Sequence, residues 1–508
     1  MSLKRNATAN FVSQAWSVLM GLAFIPLYIQ YLGLEAFGLI GFFASLQAWL
    51  AIVDLGLSLT VNREMARFGA GADSDDAGPL HQLLRAVRAV YLGVGLALVA
   101  LVWWLAPLIA TQWFQASQLT PEVLQTALRL LGVALVLRWV SQIHRSAIQG
   151  LQRQVWLGGF TVVSSTLRPL GALLLLAFAE VGVVGFFAWQ VLVSALELAV
   201  LVLRLKCFLP PEQTPMPLSL APLRRVWRFA AGVFMADAFA IVMTQSDKLI
   251  LSNLLSLHDF GVYSFAFTLG TALAAFKTPL FHAVSPRLTA QAAAGDAAGL
   301  QATYHKASQA MSVLAIPGAL VATVYADRLI YAWSGSLLLA EQAAAIAAVF
   351  ILAYMLNSLI HIPAALALSH GWSAWGMTVN GLAAFAIVPA VFFGAKLFGP
   401  IGAAAANLAL NLLYFLFAVY WLHRRLLRTE WARWLAVDNL APLAVAAVLV
   451  AAIRFWVPAA GERWPTAFTL AAVWLLVSAA VAMSLPYPRQ ALLTLLPGMF
   501  RVLRRPAR

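Results

Sequence analysis

Apolar runs long enough to cross a bilayer recur from one end of this chain to the other, and that pattern limits the fold more than any motif does. A helix needs about twenty mostly apolar residues to span the hydrocarbon core. Only 10% of the 508 residues are charged and 62% are hydrophobic, whereas a soluble chain carries about 25% charged residues. The expected fold is therefore an all-α polytopic membrane protein of about 14 transmembrane helices. Their approximate limits are 10–32, 37–62, 86–112, 123–148, 154–178, 181–204, 225–251, 259–289, 304–329, 341–368, 371–397, 400–423, 434–457 and 465–485, each uncertain by a few residues.

Charge placement supports an even number of crossings. With both termini cytoplasmic, about 24 of the 33 basic residues fall on the inner side, as the positive-inside rule requires. Glu35, Glu122, Glu180, Asp259 and Glu341 fall outside. The net charge of +14 does not point to nucleic acid, because the basic residues sit at span ends rather than in a soluble patch. Lys4 and Arg5 precede an apolar run about twice as long as a signal-peptide core and without a clear cleavage site, so an uncleaved first span is expected. Cys207 is the single cysteine, which excludes an intrachain disulfide and a CxxC site.

The connectors define the expected organisation. A proline-rich stretch, 205–223, follows span six and reads as a linker between two halves. This gives an N-lobe over 1–204, a C-lobe over 224–425, two extra spans over 426–485, and a basic cytoplasmic tail over 486–508. The connector 63–85 carries an acidic run, Asp73-Ser74-Asp75-Asp76. A weak internal repeat supports two lobes of six helices. The first half begins with a span whose polar seam holds Asn6, Asn10, Ser13, Gln14 and Ser17. Next comes Leu34-Glu35-Ala36-Phe37-Gly38-Leu39, then a span carrying Gln47, Asp54 and Ser58. The second half repeats this with Asp237, Thr244 and Lys248, the connector Leu257-His258-Asp259-Phe260-Gly261-Val262, and Lys277 at the place of Asp54.

Ionised groups inside spans cost about 2.5–3.5 kcal/mol each at the bilayer centre, so they must face one another or water. The basic ones are Arg138, Arg168, Lys248 and Lys277, and the acids are Asp54, Glu197, Asp237 and Asp247. Span four aligns Arg138, Ser141, Gln142, Arg145 and Gln149, and span five aligns Thr161, Ser165 and Arg168 beside Pro169. Arginine stays charged and offers fixed donors suited to phosphate or carboxylate. Arg138, Arg168, Lys248 and Lys277 are thus candidates for an anionic head group in a central cavity. The alternative is that each arginine pairs with an interior acid such as Glu197 and locks the lobe. Asp54 and Asp237 either carry a coupling proton or ion or, more simply, balance Lys277 and Lys248. Asn10, Gln14, Asn357, His361, Asn407 and Asn411 are candidate sugar contacts, or interhelical hydrogen bonds worth about 0.6 kcal/mol on average.

No GxxxxGK[ST], HExxH or GxSxG occurs, and no cluster has metal-ligand spacing. Neither a catalytic residue, a metal nor a cofactor is expected, and the chain is read as a carrier rather than an enzyme. A membrane glycan polymerase or glycosyltransferase would be expected to carry a large extracytoplasmic loop, and no connector is that long.

The chain resembles the multidrug/oligosaccharidyl-lipid/polysaccharide exporter superfamily, specifically its bacterial O-antigen and polysaccharide flippase branch (the oligosaccharide flippase family). The resemblance rests on Asn6-Ala7-Thr8-Ala9-Asn10-Phe11, Pro26-Leu27-Tyr28-Ile29, Tyr31-Leu32-Gly33-Leu34-Glu35-Ala36-Phe37-Gly38, and Leu55-Gly56-Leu57 leading to Asn62-Arg63-Glu64. In the second half it rests on Asp247-Lys248-Leu249-Ile250-Leu251 and Phe260-Gly261-Val262-Tyr263. It covers about twelve spans. Spans thirteen and fourteen fall outside it, and similar extra spans occur in the lipid II flippases of the same superfamily. The resemblance implies two six-helix lobes around an alternately opening cavity. It implies a substrate too, an undecaprenyl-pyrophosphate-linked oligosaccharide moved to the outer leaflet of the bacterial inner membrane. The implied partners are that lipid-linked oligosaccharide, the bilayer, and a glycan polymerase and ligase of the same pathway, with no nucleic acid. The alternatives are a lipid II flippase, a cation-coupled multidrug antiporter whose cavity should be acidic, and, more distantly, the polymerase or glycosyltransferase.

Overall fold

The computed structural model describes residues 3–54, 56–69, 78–210, 221–455, 462–491 and 493–494. The acidic run 73–76, residues 211–220 of the expected linker, Trp456 and the tail from 495 lie outside them. Among the described residues there is no strand, only an isolated bridge between Gln115 and Ser256. Eleven helical segments are long and apolar enough to cross a membrane. One of them, Ser373–Leu426, holds two crossings, and α1 (Leu3–Ala23) and α8 (Ala221–Leu254) are also of crossing length. The protein is an all-α polytopic membrane protein. Large apolar side chains such as Phe178, Trp104 and Phe385 stand exposed on helix surfaces, as lipid-facing residues do. The chain forms two compact units, Met1–Gly261 and Val262–Arg508.

In the first unit α1 leads into α2 (Ile25–Val53), and the chain turns inside α2 at Gly33 (φ 80°, ψ 172°). This left-handed conformation favours glycine. Residues 25–32 therefore complete the first crossing, while 34–53 and α3 (Leu57–Gly69) make the second. Just past the turn, Glu35 accepts four hydrogen bonds: from Ser117 N (2.8 Å) and Oγ (2.6 Å), Gln118 N (2.9 Å) and Leu119 N (3.1 Å). That carboxylate fastens the first hairpin to the connector between α4 (Gly78–Leu108) and α5 (Pro121–Gly150). The two repeated connectors meet at their glycines. A Cβ on Gly38 would run into the Leu257 carbonyl, and one on Gly261 into the Leu34 carbonyl.

α6 (Gln154–Phe178) packs on α1, and α7 (Gly182–Phe208) packs along α5. Where α3, α5 and α7 end and α4 begins, a buried cluster forms from Val61, Met65, Leu84, Tyr91, Ile143, Leu201 and Leu205. Tyr91 and Trp139 stack there at 4.0 Å.

α9 (Leu257–Leu273) crosses the boundary of the two units and is followed in the second by α10 (Lys277–Ala293), α11 (Ala297–Val324), α12 (Ala326–Ser334) and α13 (Leu337–Ser369). Asp296 caps α11 by accepting from Gly299 N at 2.8 Å. α14 (Ser373–Leu413) breaks at Gly399 (φ 66°, ψ −151°) before Pro400, which divides it into two crossings. After α15 (Val419–Leu426) and α16 (Trp431–Arg433), a π-helical stretch Trp434–Leu440 enters α17 (Ala441–Arg454), and α18 (Arg463–Ser484) follows.

The two extra helices are fastened to α11 by buried polar groups. His305 places Nδ1 2.5 Å from Asp438 Oδ2 and Nε2 2.9 Å from Glu430 Oε2. Gln309 donates to Asp438 Oδ1 at 2.9 Å and Ser312 to Asn439 Oδ1 at 3.3 Å. At the other end, Arg463 closes α12 by donating to the carbonyls of Ala332 (3.0 Å) and Trp333 (2.7 Å).

Candidate functional site

Five helices of the first unit each turn one face toward a common cavity of about 480 Å³. The lining residues repeat one spacing, i, i+3, i+4, i+7, which is one face of a helix. On α1 they are Ser17, Met20 and Gly21, followed by Phe24 just past its end, and on α2 Ile40, Phe43, Ala44 and Gln47. α5 supplies Arg138, Ser141, Gln142 and Arg145, and α6 supplies Thr161, Ser164, Ser165 and Arg168. α7 adds Gln190 and Glu197, with Ser194 between them on the same face.

The hydrogen bonds form one network. Arg168 Nη2 donates to Glu197 Oε1 at 2.7 Å, and its Nη1 donates to Gln190 Oε1 (2.8 Å) and Ser194 Oγ (3.2 Å). Arg145 reaches the other Glu197 oxygen at 3.3 Å and Thr161 Oγ1 at 3.4 Å. Arg138 donates to Gln47 Oε1 (2.7 Å) and to Gln190 Oε1 (2.8 Å), while its guanidinium stacks on Phe43 at 4.7 Å. Arg138 has no carboxylate partner among the described residues, and its buried Nε has no acceptor. Among the described residues three guanidiniums thus face one carboxylate, which leaves a net charge of +2 on the lining of this partly polar hollow. The amide oxygen of Gln190, shared by Arg138 and Arg168, sets their spacing without neutralising either.

The structure brings together two of the four basic candidates, Arg138 and Arg168, and adds Arg145. Of the two, Arg168 pairs with the interior acid Glu197, and Arg138 does not. Arg145 is not among the four head-group candidates, although its spacing from Arg138 places it on the same face of span four. Gln47 and Gln190 were missed as site residues because a lone glutamine in a span has no distinguishing pattern.

Lys248 does not line this cavity. It is buried in α8, with Nζ 3.1 Å from Gln245 Oε1, 3.3 Å from the Thr244 carbonyl and 3.8 Å from Asp247 Oδ1. Asp54 accepts from Ser58 Oγ at 2.6 Å, from Ser58 N at 3.1 Å, and from Tyr91 Oη, which places it in the core beneath α3. The side chain of Asp237 lies outside the described part of α8. Asn10 and Gln14 are exposed on α1 and make no side-chain hydrogen bond among the described residues.

Lys277 forms a second polar cluster within the second unit. It stands at the first position of α10, just after the break that ends α9. Nζ donates to Asn357 Oδ1 at 2.5 Å and lies 5.5 Å from the centre of the Tyr354 ring. Asn357 Nδ2 donates to Asn411 Oδ1 (2.9 Å), and Asn411 Nδ2 donates to the Asn407 carbonyl (2.9 Å). His361 Nδ1 bonds the Asn357 carbonyl at 2.9 Å. Lys277 has no carboxylate partner among the described residues. Among the described residues no group of three or more His, Cys, Asp or Glu side chains is placed to hold a metal ion.

The all-α membrane fold is shared with solved structures described as a flippase and as transporters. It resembles the lipid II flippase MurJ in an inward closed conformation, with a TM-score of 0.72, 12% identity, and coverage of 94% of this chain and 98% of that one. It also resembles an inward-facing multidrug resistance MATE family transporter of the MOP superfamily, with a TM-score of 0.64, 13% identity, and coverage of 81% and 94%. A third likeness is to the Vibrio cholerae MATE transporter VcmN in its bent form, with a TM-score of 0.52, 16% identity, and coverage of 84% and 97%. At these identities the likeness is one of fold. No curated protein sequence matches the chain at a significant level. Residues 3–291, more than half of the chain, match the polysaccharide biosynthesis protein family. The chain belongs to that family, and with it to the multidrug/oligosaccharidyl-lipid/polysaccharide exporter superfamily.

Proposed function

We propose that this protein is a flippase carrying an undecaprenyl-pyrophosphate-linked oligosaccharide from the cytoplasmic to the outer leaflet of the bacterial inner membrane by alternating access, with both termini cytoplasmic. The observation that carries the reading is the charge of the first unit's cavity. Three arginines against one glutamate suit a diphosphate, whose two negative charges match the two that Glu197 leaves uncompensated. Arginine forks bind phosphate oxygens bidentately, and the serines, threonine and glutamines of the wall offer hydrogen bonds to a sugar. Lys277, with Asn357 and Asn411 beside it, is a second head-group contact in this scheme. Asp54 and Asp237 serve charge balance or coupling. The product would pass to a glycan polymerase and ligase, for O-antigen, capsule or exopolysaccharide.

A lipid II flippase is the second reading. It draws on the two additional helices, α17 and α18, packed on α11. A multidrug antiporter is disfavoured, since an organic cation would be repelled by the arginines. Nothing in the cavity pairs a nucleophile with a base, which favours a carrier over a polymerase or glycosyltransferase.

The test is complementation of a strain lacking its oligosaccharide flippase, with lipid-linked oligosaccharide accumulation as the readout and membrane protein level checked in parallel. Wild type should clear the intermediate, whereas Arg138→Ala, Arg168→Ala and Lys277→Ala should be expressed but leave it. Normal clearance by all three variants refutes the cationic-site reading. Failure of the wild type there, with rescue of cells depleted of their lipid II flippase, establishes the second reading instead.

A further inference from the structure

The end of the first unit where α7 finishes and α6 begins holds a second recess, of about 350 Å³, outside the cavity described above. Arg153, Val155, Trp156, Arg204 and Phe208 line it. Arg153 is the residue that precedes α6, and Arg204 lies in the last turns of α7. Each guanidinium lies over an aromatic ring, Arg153 over Phe208 at 5.3 Å and Arg204 over Trp156 at 5.7 Å. The two rings meet edge to face at 5.8 Å. Such stacking occupies the flat faces of the guanidiniums and leaves their N–H edges free to donate. Neither arginine has a carboxylate partner among the described residues, and both are exposed.

We infer that Arg153 and Arg204 form a docking site for the phosphodiester head group of an anionic phospholipid. Three features favour a lipid over free phosphate. The walls between the arginines are apolar, as a glycerol backbone and upper acyl chain require. The recess lies where apolar spans end, the depth at which lipid phosphates sit. The same helix ends also carry Arg63, Arg85 and Lys206, a field that concentrates anionic lipid. The recess is joined to the cavity by a continuous side-chain path. Trp156 stacks on Phe160 at 5.3 Å, Phe160 carries the guanidinium of Arg145 at 5.1 Å, and Arg145 pairs with Glu197. The site stands whether or not the cavity carries a glycan lipid.

Cys207, the only cysteine and exposed, lies next to Phe208 and allows one environment-sensitive label beside the recess. The labelled full-length protein in neutral detergent is titrated with short-chain phosphatidylglycerol, phosphatidylcholine and inorganic phosphate, and lipid retention by the unlabelled protein is followed by native mass spectrometry. Phosphatidylglycerol should saturate the signal and bind at least tenfold more tightly than the other two. Arg153→Gln with Arg204→Gln should weaken it at least tenfold. Arg67→Gln, at an exposed arginine of the same end paired with Glu64, and Arg138→Gln in the cavity should leave it within twofold. Should the double glutamine variant fail to fold, the double lysine variant keeps the charge, loses the planar fork, and should still weaken binding several-fold. The proposal is overturned by unchanged binding in the recess variants, by equal weakening in Arg67→Gln, or by phosphate binding as tightly as phosphatidylglycerol. Loss confined to Arg138→Gln also overturns it, while leaving the cavity reading intact.

Discussion

Glu197→Gln removes the one carboxylate among three guanidiniums while keeping the side-chain shape. Glu197 holds Arg168 at 2.7 Å and Arg145 at 3.3 Å through separate oxygens. Removing one partner of a buried ion pair costs about 3–5 kcal/mol. The arginine side chains here keep 17% and 24% exposure in a water-accessible hollow, and the glutamine can still accept one hydrogen bond. We therefore take a loss of about 2–3 kcal/mol, at and just below the lower end of that range. With the first unit melting as a body of some 250 residues, each kcal/mol lowers Tm by about 2–4 °C, so a fall of about 5–10 °C is expected. The assay is thermal unfolding of detergent-purified protein with and without inorganic pyrophosphate. Pyrophosphate should stabilise Glu197→Gln more than wild type, because the variant cavity carries one more positive charge. Adding Arg145→Gln should restore part of the lost stability by returning the charge to its original balance. A variant that melts within about 1 °C of wild type and responds equally to pyrophosphate would refute the claim that Glu197 sets the charge of this site.

Three further substitutions test the fold around the site. Gly38→Val drives a side chain into the Leu257 carbonyl; overpacking of this kind costs about 1–3 kcal/mol or more, and reduced yield of monodisperse protein in detergent should report it. Glu35→Ala strips the amides of Ser117, Gln118 and Leu119 of their shared acceptor. Hydrogen bonds to a charged group are worth about 1.5–3 kcal/mol each, of which the exposed Ser117 and Gln118 recover part from water, and protease nicking in the 114–120 connector should rise above that of wild type. Asp438→Asn weakens the fully buried hydrogen bond to His305 and should cost about 1.5–3 kcal/mol, the worth of a hydrogen bond to a charged group, read as a lowered melting temperature. His305→Phe with Asp438→Leu, which removes both partners, should recover much of that loss.

Much of the architecture was legible before any coordinates, because a bilayer leaves few solutions. Recurrent apolar length fixed the class. Gly33 and the Gly399-Pro400 pair mark turns at the boundaries expected from hydropathy. Arg138 and Arg168 stood out because an arginine in an apolar span must be compensated. Their spacing to Ser141, Gln142, Thr161 and Ser165 put each on a polar face, and those faces do line one cavity. The two lysines were less legible. They share the arginines' sign and lie in the repeated stretch of the second half, yet Lys248 is packed among Gln245, Thr244 and Asp247, and Lys277 joins an asparagine chain.

What the sequence by itself determined was the set of helices and the polar stripe on each, since both follow from local spacing: twenty apolar residues for a crossing, and i, i+3, i+4, i+7 for a face. Only the tertiary structure decided which stripes meet. That Glu197 bridges Arg145 and Arg168 while Arg138 has only amide oxygens depends on α5, α6 and α7 converging at one height. That His305 closes on Asp438 and Glu430 depends on contacts between residues more than a hundred positions apart. Periodicity is a property of one helix, whereas partnership is set by how helices cross, and no single stretch of chain encodes the crossing.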